Sequence, residues 1–186
     1  MIIGKNVTLR GLELSDVNEL LLYYNNKQFM NYFGRITIMS HEEGIEWIRK
    51  TWEERKKGEA YTFGIITNDN TKYIGNVRLK ILNNVSRRAD ISIGIFNPKY
   101  RNKGLGTESL VLLINFGFDT LNLLSMELRV FSDNNRAIAV YKTLGFREIG
   151  LRRKADFVEG KFLDDLMMDL LIEEWRPKRI EEVSSS

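Results

Sequence analysis

The chain contains no cysteine, one histidine and two prolines among its 186 residues. Without cysteine there can be no disulfide, thiolate metal site, iron–sulfur cluster or covalent thioester on the protein. A lone His41 cannot by itself build a multi-histidine metal centre, so no metal is expected. No apolar run approaches the roughly 20 residues of a membrane span, and Met-Ile-Ile-Gly has neither the basic start nor the apolar middle of a signal peptide. The expectation is a cytoplasmic protein with no membrane partner.

Charge is abundant but nearly balanced, with 28 basic and 25 acidic side chains. A net +3 is too small to argue for nucleic acid, which would need a continuous basic face interleaved with aromatics. The distribution is more informative. Residues 1–75 carry ten charges of each sign, residues 76–154 fourteen basic against six acidic, and residues 155–186 four basic against nine acidic. A basic middle suits an anionic ligand, and an acidic end a cationic one.

No internal repeat, low-complexity tract or long linker appears, so one domain is expected over residues 1–175, with a polar tail over 176–186. Asn6–Arg10 is a short strand, and Ser15 is placed to cap a helix carrying Val17, Leu20, Leu21 and Tyr24 on one face. Ser40-His41-Glu42-Glu43 is a capping box opening a helix that runs to Gly58, which puts His41 at the surface. Tyr61–Thr67 and Lys72–Ile81 form a hairpin, and Ala89–Phe96 is a third strand ended by Pro98. A helix over 104–120 buries Leu110, Val111, Ile114 and Phe118. Strand Ser125–Val130, a helix Asn134–Leu144 closed by Gly145, and a final hairpin about Glu159-Gly160 complete the chain. The fold class is α/β, with a mixed, mostly antiparallel sheet and flanking helices.

Two segments carry chemistry. In the first, strand 89–96 feeds Arg101-Asn102-Lys103-Gly104-Leu105-Gly106-Thr107 at a helix N-terminus. The unpaired N–H groups of a first helical turn and the helix dipole favour an anion there, and glycine leaves the backbone open to its approach. Arg101 and Lys103 add charge. The spacing is neither a Rossmann fingerprint nor a Walker loop. In the second segment, Asn134 precedes a helix in which Ala137, Val140, Tyr141 and Leu144 share a face. Alone, Tyr141 reads as a core aromatic and Asn134 as a cap.

Together, Arg-x-x-Gly-x-Gly and Asn-x-x-Ala-x-x-x-Tyr-x-x-x-Gly-Phe resemble the GNAT superfamily of N-acetyltransferases, over residues 7 to about 172 and most strongly over 87–146. The resemblance implies a sheet whose central strands, here 89–96 and 125–130, splay apart around acetyl-CoA. It implies a pantetheine arm bonded to the backbone at Ile95 and Phe96, and a pyrophosphate on the amides from Arg101 to Gly106. It places Tyr141 as the general acid that protonates the departing thiolate, and Asn134 beside the CoA arm. The missing cysteine agrees with direct transfer to the acceptor amine. Asp90 is a candidate general base acting through water, its alternative being a partner for Arg87, Arg88 or Lys80.

For the acceptor, Arg87-Arg88-Ala89 with Asn122-Leu123 resembles spermidine acetyltransferases. Gly160-x-x-x-Asp164 before an apolar strand resembles ribosomal-protein N-terminal acetyltransferases. The polyamine enzymes carry acidic residues after the first helix, where this chain has Asn31-Tyr32-Phe33-Gly34-Arg35, which argues for a peptide N-terminal amine. Asp156, Glu159, Asp164 and Asp165 are a second place where a cation could be drawn. A non-catalytic acetyl-CoA sensor is the competing class. A homodimer is compatible with the sequence.

Overall fold

The structure is a computed structural model and describes residues 1–26 and 38–175. Its contacts divide the chain into two compact units, Met1–Lys80 with Ser92–Leu113, and Ile81–Ile91 with Ile114–Ser186. The expected polar tail at 176–186 and the loop at 31–35 lie outside the described residues.

In the first unit, β1 (Ile2–Ile3), β2 (Val7–Gly11), β3 (Ala60–Thr67) and the first part of β4 (Tyr73–Asn83) pair in sequence, each antiparallel to the next. Helices α1 (Val17–Tyr24) and α2 (His41–Lys56) supply the apolar residues that cover them. Leu12, Val17, Leu20, Tyr24, Ile48, Ile66, Tyr73 and Phe96 form one buried cluster, with Trp47 and Trp52 against it. Trp52 is also tied by a hydrogen bond, its Nε1 donating to the Leu12 carbonyl at 2.8 Å. Tyr73 meets Phe96 edge-on at 6.1 Å, and its hydroxyl donates to Asn76 Oδ1 at 2.8 Å. That bond satisfies a phenol which burial would otherwise leave costly.

Local chemistry starts the helices. Ser40 Oγ accepts from Glu43 N at 3.2 Å while Glu43 Oε2 accepts from Ser40 N at 2.6 Å, the reciprocal box expected at α2. His41, its first residue, is exposed. Before α1 the structure differs from the sequence expectation. A single 3₁₀ turn, Leu14–Asp16, leads in, and Asp16 rather than Ser15 reaches back, accepting from Glu13 N at 2.8 Å. Asp16 wins because its two oxygens also take Arg10 as a fork, at 2.7 and 2.8 Å.

In the second unit, the first residues of β5 (Arg88–Ile95) run parallel to β6 (Ser125–Phe131), pairing Arg88–Asp90 with Ser125–Glu127. Strand β8 (Lys161–Leu171) lies antiparallel on β6, and β7 (Arg147–Val158) antiparallel on β8. The β6 residues Met126, Leu128 and Val130 and the β8 residues Met168 and Leu170 are buried, while the alternate positions include the charged Glu127, Arg129 and Asp169. This period-2 pattern marks a sheet with one apolar face. The fold is thus α/β with a mixed sheet, antiparallel but for β5 and β6, as expected.

Helix α3 (Leu105–Asn115) continues as a π turn over Phe116–Thr120. Leu113, not Val111, completes its buried stripe with Leu110, Ile114 and Phe118. Helix α4 (Asn135–Leu144) ends as predicted on Gly145, whose φ of 100° lets the Phe146 N–H reach the Tyr141 carbonyl at 3.0 Å. No helix among the described residues is long and apolar enough to cross a membrane.

Candidate active site

The candidate anion-binding turn follows β5 in the first unit. Asn97 Oδ1 accepts from Lys99 N at 3.0 Å, opening a 3₁₀ turn over Pro98–Tyr100. The chain is extended at Arg101, then left-handed at Asn102 (φ 61°) and again at Gly104 (φ 76°) before α3 begins. Left-handed residues set close together turn successive N–H groups to one side, the geometry of an anion-holding nest. Asparagine is among the few residues that adopt this conformation at modest cost. Asn102, Lys103 and Gly104 are exposed, and Leu105, Gly106 and Thr107 are half-buried.

The two glycines serve different ends. A Cβ on Gly104 would meet nothing within 4 Å, so its positive φ is what requires glycine, and the space above it is open. A Cβ on Gly106 would lie in ordinary contact with Ile95 and Ile93, at 3.5 and 3.7 Å, facing β5. This turn fits a diphosphate: it combines unpaired first-turn N–H groups, two left-handed residues and an unobstructed approach at Gly104.

Arg101 is turned toward the strand. Its Nε donates to the Ile95 carbonyl at 2.9 Å and its Nη2 to the Phe96 carbonyl at 3.2 Å. The Phe96 N–H donates to the Ile74 carbonyl at 2.8 Å. The guanidinium thus ties the end of β5 to the turn that follows it. Lys103 holds its ammonium 5.7 Å from the Tyr100 ring centre, and the Tyr100 hydroxyl accepts from Asn70 Nδ2 at 3.2 Å.

Two further residues shape this site without belonging to the motif. Glu108, in the first turn of α3, would oppose an anion if its carboxylate faced the nest. Instead it accepts from Asn6 N and Nδ2, both at 2.8 Å, and from Val7 N at 3.3 Å. Gly75 of β4 is the other. A Cβ there would come 1.9 Å from the Gly94 carbonyl oxygen and 2.9 Å from its carbon. Only a glycine lets β4 pass so close to β5. A glycine within a strand pattern was the available signal for the second, and an acid near a helix start for the first.

The second unit holds the remaining candidates. Tyr141 is 9% exposed on the buried face of α4, edge-on to Phe146 at 5.8 Å. Asn134 Oδ1 accepts from Ala137 N at 3.2 Å, capping the helix that carries Tyr141. Asp90 is half-buried and in register with Glu127 of β6. Arg88, expected as a partner for Asp90, forms an ion pair with Glu127. Burial, then Glu174 and Glu127, hold the Asp169 carboxyl above its ordinary range. Among the described residues no group of three or more His, Asp or Glu could hold a metal.

Residues 6–147 match the family model of the acetyltransferase (GNAT) domain. The spermidine N(1)-acetyltransferase of Escherichia coli strain K12 is 30% identical over 163 residues, 88% of this chain and 84% of that protein. Among solved structures, spermidine N-acetyltransferase from Vibrio cholerae in complex with CoA and spermine superimposes with a TM-score of 0.84 at 26% identity, covering 93% of this chain and 99% of that one. The ribosomal L7/L12 alpha-N-protein acetyltransferase RimL, in complex with coenzyme A, shares the fold with a TM-score of 0.81 at 18% identity, covering 92% and 97%. The chain belongs to the GNAT acetyltransferase family. It is an acetyl-CoA-dependent acyltransferase.

Proposed function

We propose that the chain transfers acetyl from acetyl-CoA directly to a primary amine, with a peptide N-terminal amine as the acceptor. The observation that carries the donor assignment is the exposed turn at Asn102–Gly104, two left-handed residues opening α3. Its amides would hold the pyrophosphate, and the Ile95–Phe96 segment braced by Arg101 would align the pantetheine arm. Acetyl-CoA supplies the thioester. The neutral amine nitrogen forms the new bond to the carbonyl carbon, the carbon–sulfur bond breaks, and the thiolate takes a proton from the Tyr141 hydroxyl. The proton released by the amine leaves through solvent or Asp90 and restores the phenol.

Proton arithmetic favours the α-amine. At pH 7 a lysine-like amine is about one part in a few thousand neutral, and an α-amine roughly 10–15%. A site without a strong base nearby suits the second. The 30% and 26% identities with spermidine acetyltransferases favour a second reading, a polyamine acceptor.

The test is release of CoA thiol with spermidine, aminoglycosides, amino acids, and peptides beginning with Ser, Ala or Met. A suitable peptide should exceed spermidine by at least about tenfold in kcat/KM. Spermidine winning at both low and high ionic strength would assign the polyamine reading instead. In either case Tyr141→Phe should lower kcat by roughly 10²–10³-fold with little change in acetyl-CoA KM. Near-normal kcat would return Tyr141 to a purely packing role.

A further inference from the structure

The β7–β8 ladder breaks where its charges are densest. Arg152 faces Asp165, and the next pair is Asp156 with Leu163, so three residues of β7 stand opposite Asp164 alone. Asp164 spends its side chain on the break: its Oδ1 accepts from the N–H of Lys154, a residue at φ 51°. Asp165 has no such duty. Its side chain is 3% exposed, and its Oδ2 has no hydrogen-bond donor. Arg129 of β6 stands 4.0 Å away, too far to donate, on a side chain that is 59% exposed. Arg152 adds a weaker attraction from β7, and Asp156, close enough to share a hydrogen bond, adds repulsion. Burial and Asp156 raise the Asp165 pKa.

A buried carboxylate oxygen without a donor costs free energy in the isolated protein. Natural chains seldom keep one for packing alone, since asparagine or leucine would serve. What Asp165 and Asp156 lack together is a compact donor with several N–H groups and a positive charge. We propose that Asp165, with Asp156, binds the ammonium of the amine acceptor, and so sets acceptor affinity. This rests on the amine-acetylating reading above. The shared chemistry is a primary ammonium, whether on a polyamine or a peptide N-terminus; a peptide's single amine docks there protonated and gives up that proton before it attacks the thioester.

The test compares wild type with Asp165→Asn in the full chain. Asparagine removes the buried charge and can donate to Asp156, so Tm should hold or rise. The acceptor KM should rise at least tenfold, kcat should change less than threefold, and acetyl-CoA KM should stay constant. A structural ion pair would behave differently: Asp165→Asn and Arg129→Gln would lower Tm alike and leave the acceptor KM untouched, overturning the proposal. Calorimetric binding of spermidine, and separately of a tetrapeptide beginning with serine, judges the site without turnover. At least a tenfold loss of affinity in Asp165→Asn for either probe supports it. Equal affinity in both proteins, or no binding of either probe to wild type, overturns it. Absence of thiol release with every amine would instead refute the acetyl-transfer reading, leaving the binding result to decide on Asp165.

Discussion

Replacing Gly75 by alanine adds one methyl group at the tightest point of the first unit. The new Cβ would stand 1.9 Å from the Gly94 carbonyl oxygen, 2.9 Å from its carbon and 3.0 Å from Ile95 Cα. All three obstacles are backbone, so no side-chain rotation can relieve them. Residues 94–96 must move, by a distance on the order of 1 Å for carbon atoms that rest at about 3.5 Å or more. That movement breaks the Phe96 N–H bond to Ile74 and pulls the Ile95 and Phe96 carbonyls from Arg101. Overpacking of this kind costs about 3 kcal/mol, the upper end of the usual range. For a chain of this size that lowers Tm by about 6–12 °C.

The functional effect should exceed the stability effect. If the pantetheine arm is aligned by β5 at Ile95 and Phe96, a displacement near 1 Å costs about 100-fold in kcat/KM for acetyl-CoA. The assay is a thermal melt plus thiol release at saturating amine, below the melting range. Gly150→Ala is the matched control, because its Cβ would meet nothing within 4 Å. It should match or slightly exceed wild-type stability, since alanine lowers the entropy of the unfolded chain. A Gly75→Ala protein melting within 2 °C of wild type, with unchanged acetyl-CoA KM, would refute the argument.

Gly104→Ala should weaken acetyl-CoA binding while costing little stability, about 1 kcal/mol for a left-handed non-glycine residue, because the space around it is open. Thermal shift with acetyl-CoA measures this, and a shift equal to wild type would remove the nest from the site. Ser40→Ala removes the oxygen that accepts from Glu43 N and should lower Tm by about 2–4 °C, the effect of a typical lost N-cap. Glu43 itself is held below its ordinary range by the backbone and hydroxyl of Ser40. Its contribution is present above the usual carboxylate pKa and lost as pH falls through the depressed value. The melting deficit of Glu43→Gln should therefore shrink on acidification, and a deficit independent of pH would exclude the charged form as its source.

What the sequence discloses depends on how local the determining interaction is. The Ser40 box, the Gly145 cap and the Asn102–Gly104 turn are each settled within a few residues, and each is readable from spacing alone. Asp16 displaced Ser15 at the first helix because Arg10, six residues away on a strand, gives a carboxylate two charged bonds. Arg101 illustrates the same limit within a recognised motif. Its position predicts a charge beside phosphate, whereas its guanidinium is committed to two carbonyls at the end of the preceding strand. Glu108 is bonded to Asn6 and Val7, about a hundred residues away, and Gly75 owes its identity to Gly94. These contacts become visible only when strands are registered against one another. The motif thus marks the turn proposed to hold an anion, while the residues that hold its backbone in shape are scattered through chain that carries no motif. Asp165 belongs to that second kind. Its neighbours Asp164 and Asp169 look equivalent in sequence, yet register gives one of them a backbone N–H and leaves Asp165 buried with an oxygen unbonded. Composition marks Asp156, Glu159, Asp164 and Asp165 alike as a place for a cation, and only strand register singles out Asp165 among them as the buried, unbonded carboxylate proposed to meet the acceptor.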